Sequence, residues 1–202
     1  MKRVPVIATV VVVAAMAVMV KLGLWQLARA DEKAALLARY AASVAEQGAV
    51  AYPDASQAAT EAVLYRRSSI DCAFTSGDWR SVAGRNAQGQ TGYVHIIICG
   101  IDKGAPQDDQ TAYVQAGWTP GPSPPEWSGG AVSGRIAPQT EGFAKLVADP
   151  PLAGLAANAR PNPADVPNNH LAYAVQWFLF AGAAGVIYAL ALRRRWREPL
   201  PS

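Results

Sequence analysis

Few side chains in this sequence are of the types that ligate metals, attack carbonyls or move protons at neutral pH. The histidines are His95 and His170, and the cysteines are Cys72 and Cys99. No G-x-S-x-G elbow is present, so a serine-triad enzyme would lack its nucleophile. No Walker A or G-x-G-x-x-G loop offers a phosphate cradle, and no Cys-x-x-Cys or H-E-x-x-H supplies a redox pair or a zinc site. The acidic residues are scattered, and nothing selects a carboxylate pair. The chain reads as non-enzymatic.

His170 is the exception. It stands one residue before a long apolar run and, on a helix, shares a face with Tyr173, Ala174 and Trp177 at i+3, i+4 and i+7. An imidazole at a membrane surface beside an aromatic wall can ligate an iron porphyrin, whose macrocycle would lie in the interface. Histidine, tyrosine and tryptophan at that depth also anchor helix ends without any ligand. His95 and Cys99 fall on one face of a strand by period two, a spacing that suits part of a metal site and equally suits core filling.

The elements that must position these residues follow from the hydropathy pattern. Of 202 residues, 51% are hydrophobic and only 16% charged, which excludes a disordered or coiled-coil chain. The apolar excess is concentrated in two runs, Val4 to Val20 and Leu171 to Leu192. At ~1.5 Å per residue these reach ~26 Å and ~33 Å against a hydrocarbon core of ~30 Å. Leu22 to Leu27 extends the first run if Lys21 snorkels. Two transmembrane helices are therefore expected, over 4–27 and 171–192.

Charge sets an orientation. Arg193, Arg194, Arg195 and Arg197 abut the second run, whereas residues 28–167 hold 11 Lys and Arg against 14 Asp and Glu. The basic tail 193–202 is thus a topology signal, not a nucleic-acid footprint. By the positive-inside rule the termini lie in the cytoplasm, with Thr60 and Gln110 on the far side. Arg29, Lys33 and Arg39 run against this bias. Ala28-Arg29-Ala30 also fits a signal-cleavage pattern, but the apolar run exceeds an ordinary signal h-region, and Lys21, Trp25 and Arg29 crowd the cleavage region. On the far side Cys72 and Cys99 would meet oxidising conditions. They either pair or stay as two buried small hydrophobes.

Between the spans, Asp31 to Ala49 has helical spacing, so residues 28–49 are expected to carry the first helix out of the membrane. Residues 50–62 read as a loop. Strands are expected over Val63–Phe74, Asp78–Gly84, Thr91–Ile101, Thr111–Trp118 and Ala131–Ala137, with a hairpin at Asn86-Ala87-Gln88-Gly89. Residues 138–167, with six prolines, read as a long irregular return. The expected fold is a membrane α+β protein: two transmembrane helices flank a small antiparallel β-rich domain over 50–167, barrel-like or an open sheet. Ala181, Gly185 and Ala189 form a small-residue stripe through which the second span can approach the first.

Several segments together carry a resemblance. Gly23-Leu24-Trp25-Gln26-Leu27-Ala28-Arg29 with Glu32-Lys33, then Tyr65-Arg66-Arg67, Gly117-Trp118-Thr119-Pro120 and Asn168-Asn169-His170-Leu171-Ala172-Tyr173-Ala174-Val175-Gln176-Trp177-Phe178 resemble the surfeit-locus family of cytochrome c oxidase assembly factors, in the right order and nearly end to end. The chain departs from the family's basic-residue-plus-Gly pattern before Trp118, where it has Gln115-Ala116-Gly117.

The resemblance implies a bacterial inner-membrane protein that spans twice, holds its β-rich domain in the periplasm and retains Gly23 to Arg29. It implies help in building the haem a–containing subunit I of the oxidase. Haem a would be transient cargo and His170 its iron ligand, within a site of Tyr173, Trp177, Trp25, Gln26 and Arg29. Gln26 can reach His170 or Gln176, and Arg29 or Arg160 could pair the propionates. The implied partners are subunit I, the haem a synthase as a potential source of cargo, and the bilayer. The rival reading is a scaffold that stabilises an early subunit I intermediate without touching haem. A copper chaperone is disfavoured by the lack of closely spaced cysteines.

Overall fold

The computed structural model describes residues 4–54, 56–101, 110–139 and 144–197. Lys2, Arg3 and the end of the expected basic tail lie outside the described residues. The chain divides into two units, one of residues 1–37 with 166–202, the other of residues 38–165.

In the first unit, α1 (Val6–Ala45) runs unbroken through the first apolar stretch and its expected extension, while α3 (His170–Arg197) holds the second. Both are long and apolar enough to cross a membrane, as a two-span membrane protein requires. Much of their apolar surface is uncovered by protein: Ile7, Val10, Leu179, Val186 and Ile187 are all well over half exposed. The helices pack antiparallel along a seam of small residues. A Cβ on Gly23 would stand 2.6 Å from the Phe178 ring, and one on Gly185 would touch Met16 at 3.0 Å. Ala174 and Ala181 are buried in this seam. Ala189, expected in the same stripe, is exposed. Thr9 and Tyr188 join their hydroxyls at 2.5 Å.

In the second unit, seven strands follow in chain order: β1 (Ala49–Val50), β2 (Arg67–Thr75), β3 (Arg80–Arg85), β4 (Thr91–Ile101), β5 (Gln110–Thr119), β6 (Gly130–Pro138) and β7 (Ala144–Ala148). Pairing runs β2–β6–β7–β5–β4, and β4 returns to β2, closing a five-stranded barrel. β3 extends β4 as the expected hairpin, with Gly89 at φ 80° in its turn. The contacts are antiparallel except β1–β2 and β5–β7. Ile97, Val114, Val132, Ile136 and Leu146 are at most 1% exposed and form the core. Closure needs near contact of backbones: a Cβ on Gly134 would lie 2.0 Å from the Val147 carbonyl oxygen, so β6 and β7 meet only because that side chain is absent.

The sequence reading errs at three places. Residues 57–63 form α2 (Gln57–Val63), where a loop is expected; Ser56 caps it by accepting from the Ala59 N–H at 3.2 Å. The first long strand starts at Arg67 and not Val63, because Tyr65 turns the chain with φ 66°. Tyr65 tolerates that uncommon conformation because its buried ring packs on Tyr40 at 5.2 Å and its N–H donates to the Ile136 carbonyl. Finally, β7 lies in the stretch read as irregular. Its run Ala-Lys-Leu-Val-Ala carries no clear period, and it is a strand because β5 and β6 pair with it on both edges.

Cys72 and Cys99 are joined as a disulfide. Each lies on one strand of the β2–β4 seam that closes the barrel.

Candidate functional site

His170 is the first residue of α3, brought there by the turn after the 3-10 segment Pro163–Asp165. Asn169 precedes it, and the Asn169 carbonyl accepts the Tyr173 N–H at 3.2 Å to start the helix. Asn168 reaches across to α1 and donates its amide to the Ala30 carbonyl at 3.3 Å. Four residues earlier on α1, Gln26 meets the imidazole: its Oε1 lies 2.8 Å from His170 Nδ1. A carbonyl oxygen only accepts, so Nδ1 carries the proton and donates. The second ring nitrogen, Nε2, is then left with a lone pair. Among the described residues Nε2 has no hydrogen-bond partner, and the ring is half-buried.

Of the six residues selected from the sequence, the structure joins only Gln26 and His170 directly. Tyr173 and Trp25 are 52% and 54% exposed. Trp177 is half-buried and meets Phe180 edge to face at 6.2 Å. Gln26 facing His170 and Gly23 facing Phe178 put Trp25 and Trp177 within about one helical turn of each other along the pair. Arg29 is exposed and forms an ion pair with Glu32 on its own helix. Gln176 is exposed, and His170, not Gln176, takes the Gln26 amide. Arg160 belongs to the β-rich unit.

The other histidine is fully buried and fully engaged. Thr119 Oγ1 donates to the Gly121 carbonyl at 2.6 Å and so accepts from His95 Nε2–H, also at 2.6 Å. His95 Nδ1 in turn accepts the Ser81 hydroxyl at 2.9 Å. With Cys99 tied to Cys72, the pair His95 and Cys99 has no donor to offer a metal. Among the described residues no group of three or more His, Cys, Asp or Glu side chains could hold one. Burial pushes the His95 imidazole below its usual range. The unfolded chain therefore binds a proton more readily than the fold, and stability is lost as pH falls through the ordinary histidine value near ~6.5. We expect the unfolding midpoint of the β-rich unit, followed in the full-length protein in detergent, to drop between about pH 7 and 5. His95→Gln should flatten that segment of the profile; an unchanged slope would remove His95 as the cause.

Sequence reasoning also missed a latch between the irregular return and the barrel. Gln115 Nε2 donates to Asn158 Oδ1 at 3.0 Å, and Asn158 Nδ2 donates to the Gln115 carbonyl at 3.2 Å, both side chains being buried. An uncharged amide satisfies this pairing without burying a charge. Only the tertiary pairing exposes that role.

The family model described as SURF1 family matches residues 13–182. No curated protein matches the chain. The matched stretch begins inside α1, includes Gln26, the whole barrel and His170, and ends inside α3, so it takes in the β-rich unit entirely and part of each long helix. The chain belongs to the SURF1 family, the surfeit-locus family associated with cytochrome c oxidase assembly.

Proposed function

We propose that this protein assists oxidase assembly by holding haem a for subunit I, with His170 Nε2 as the iron ligand. The observation that carries the reading is the Gln26–His170 hydrogen bond of 2.8 Å. Metal-bound histidines commonly donate their other ring N–H to a carbonyl or carboxylate, which sets the tautomer and the ring plane. Here Gln26 on one helix does that for His170 on the other. The site is thus assembled only when the two spans pair. Tyr173 and Trp177 on α3, with Trp25 on α1, supply aromatic surface near the same depth for the porphyrin. Arg29, three residues beyond Gln26 on α1, is the basic side chain assigned to a propionate, in exchange with Glu32. Bound haem supplies a cargo to be transferred, and the chain itself performs no bond chemistry on it.

The test is the visible spectrum of full-length protein purified from membranes that make haem a. Haem a bands are expected in the wild type. Gln26→Leu should keep the helices paired but lower haem a occupancy about tenfold at limiting haem, the usual scale for losing an outer-shell partner. Full occupancy in that variant would separate Gln26 from the site. A wild type that never carries haem a would leave the non-haem scaffold for subunit I.

The same reading places the protein in the bacterial inner membrane with residues 28–167 in the periplasm and both termini in the cytoplasm. The arginines at 193–195 and 197 support it, as does a disulfide that suits an oxidising compartment. Alkaline phosphatase fused after Ser202 should be inactive; an active fusion would reverse the orientation.

A further inference from the structure

Packing by itself does not fix the start of α3. The glycine contact of the seam nearest His170 is Gly23 against the Phe178 ring, and Phe178 stands eight residues into α3, about 12 Å from His170 along the axis. Ala174 is buried on the way, whereas Asn168, Asn169, Leu171, Ala172 and Tyr173 are exposed. A first helical turn with so little covered surface frays, because its leading N–H groups have no partners within the helix. Among the described residues, two hydrogen bonds hold this end to α1. They are Gln26 Oε1 with His170 Nδ1 at 2.8 Å and Asn168 Nδ2 to the Ala30 carbonyl at 3.3 Å.

The two bonds differ in stiffness. Gln26 and Ala30 are four residues apart on α1 and so lie on one face. Gln26 reaches His170 through a long side chain with many rotamers. Ala30 instead offers a backbone carbonyl in the interior of a 40-residue helix, which cannot shift without disturbing that helix. A carbonyl has two lone pairs, so it can accept from Asn168 as well as from its own helix. Asn168 stands two residues before His170, and its bond therefore sets the height of the α3 start on α1. His170 depends on that height. A neutral imidazole with no directing partner samples both tautomers, and only the one protonated at Nδ1 leaves the Nε2 lone pair free.

We propose that Asn168 is a positioning residue. By anchoring to the Ala30 carbonyl it keeps His170 against Gln26, and so keeps the imidazole in the single Nδ1–H tautomer whose Nε2 is available to a ligand. Asn168 acts through His170 and not on the cargo. Its effect on haem a rests on the reading of His170 as iron ligand given above; its effect on the tautomer does not.

The test is the nitrogen NMR spectrum of full-length protein in a neutral detergent, isotope-labelled at histidine and held at about pH 8.5, well above the ordinary histidine value. With His95 and His170 the only histidines, each ring nitrogen can be assigned. In the haem-free wild type His170 should carry its proton on Nδ1 and His95 on Nε2. Asn168→Ala should leave the His95 signals unchanged, which reports an intact barrel, and turn His170 into a mixture of tautomers. Asn168→Asp, alike in shape but without the N–H donor, should do the same, and Asn168→Gln, which keeps the donor, should restore part of the Nδ1–H form. At limiting haem a, Asn168→Ala should bind about three- to fivefold less than wild type. It should add little to Gln26→Leu, because both changes break one linkage. A single Nδ1–H tautomer in both Asn168→Ala and Asn168→Asp, a wild-type His170 protonated on Nε2, or losses that simply add in the double variant would overturn the proposal. A wild type that carries no haem a would sink the haem reading alone, since the haem-free tautomer spectra decide the role of Asn168 without it.

Discussion

His170→Ala, purified from membranes that make haem a, is expected to lose at least about nine-tenths of the wild-type haem a absorbance while still inserting and folding. The ligand loss is direct, because alanine has no nitrogen to replace Nε2. Folding should survive because His170 is a half-buried residue at the first position of α3, outside the seam of Gly23, Phe178, Ala174, Ala181 and Gly185 that holds the helices together. What the variant leaves behind is the Gln26 amide, which sits at a helix surface and can turn to water. His170→Cys or His170→Met, keeping an iron ligand of another type, should restore some bound haem with a shifted spectrum. A His170→Ala spectrum and stoichiometry equal to wild type would remove His170 as the ligand. The only other imidazole, His95, has both ring nitrogens engaged by Ser81 and Thr119 and could serve only after those bonds broke.

Removing the disulfide should have the largest effect on stability. Cys72 and Cys99 are 27 residues apart in sequence, and a cross-link closing a loop of that size restricts the unfolded chain by about 3.5 kcal/mol at 25 °C. Its position makes the loss local as well. The β2–β4 seam has only three partnered positions, Cys72 with Ile101, Phe74 with Gly100 and Thr75 with Cys99, broken by a register shift. The Phe74 ring covers Gly100, where a Cβ would stand only 2.2 Å from it, so even that short seam depends on a close approach. The double variant Cys72→Ala/Cys99→Ala should unfold roughly 10–15 °C lower in detergent. Hydrogen exchange should quicken first along β2 and the end of β4, with β6 and β7 following later. Identical unfolding of the oxidised wild type and the double variant would show that strand pairing alone closes the barrel. Haem a binding should be retained by the double variant at temperatures where it is folded, since His170 and Gln26 lie in the helical unit.

What was legible in the sequence was what short-range physics decides. Long apolar runs can only be helices where water is excluded, so α1 and α3 were readable from hydropathy alone. Their ends, marked by Gly-Leu-Trp-Gln-Leu and Asn-Asn-His-Leu, carried the family resemblance and pointed to His170. Strands with strong β-branched content, such as Thr91–Ile101, and a hairpin with Asn and Gly in its turn were also readable, because alternation and turn chemistry are local.

Tertiary structure alone decided the remainder. Antiparallel packing of two spans chose His170 over Gln176 as the partner of Gln26 and thereby fixed which imidazole nitrogen keeps its lone pair. Barrel closure turned Ala144–Ala148 into a strand paired on both edges, although its own residues favour no period. The same closure brought Cys72 beside Cys99. None of these is encoded by neighbours in sequence. Each depends on two backbones meeting at a distance set by what lies between them, and in this protein that is often a missing side chain, at Gly23, Gly100 and Gly134. A sequence read locally shows such a glycine only as a weak point in a helix or strand; its partner across the gap supplies the reason it is there.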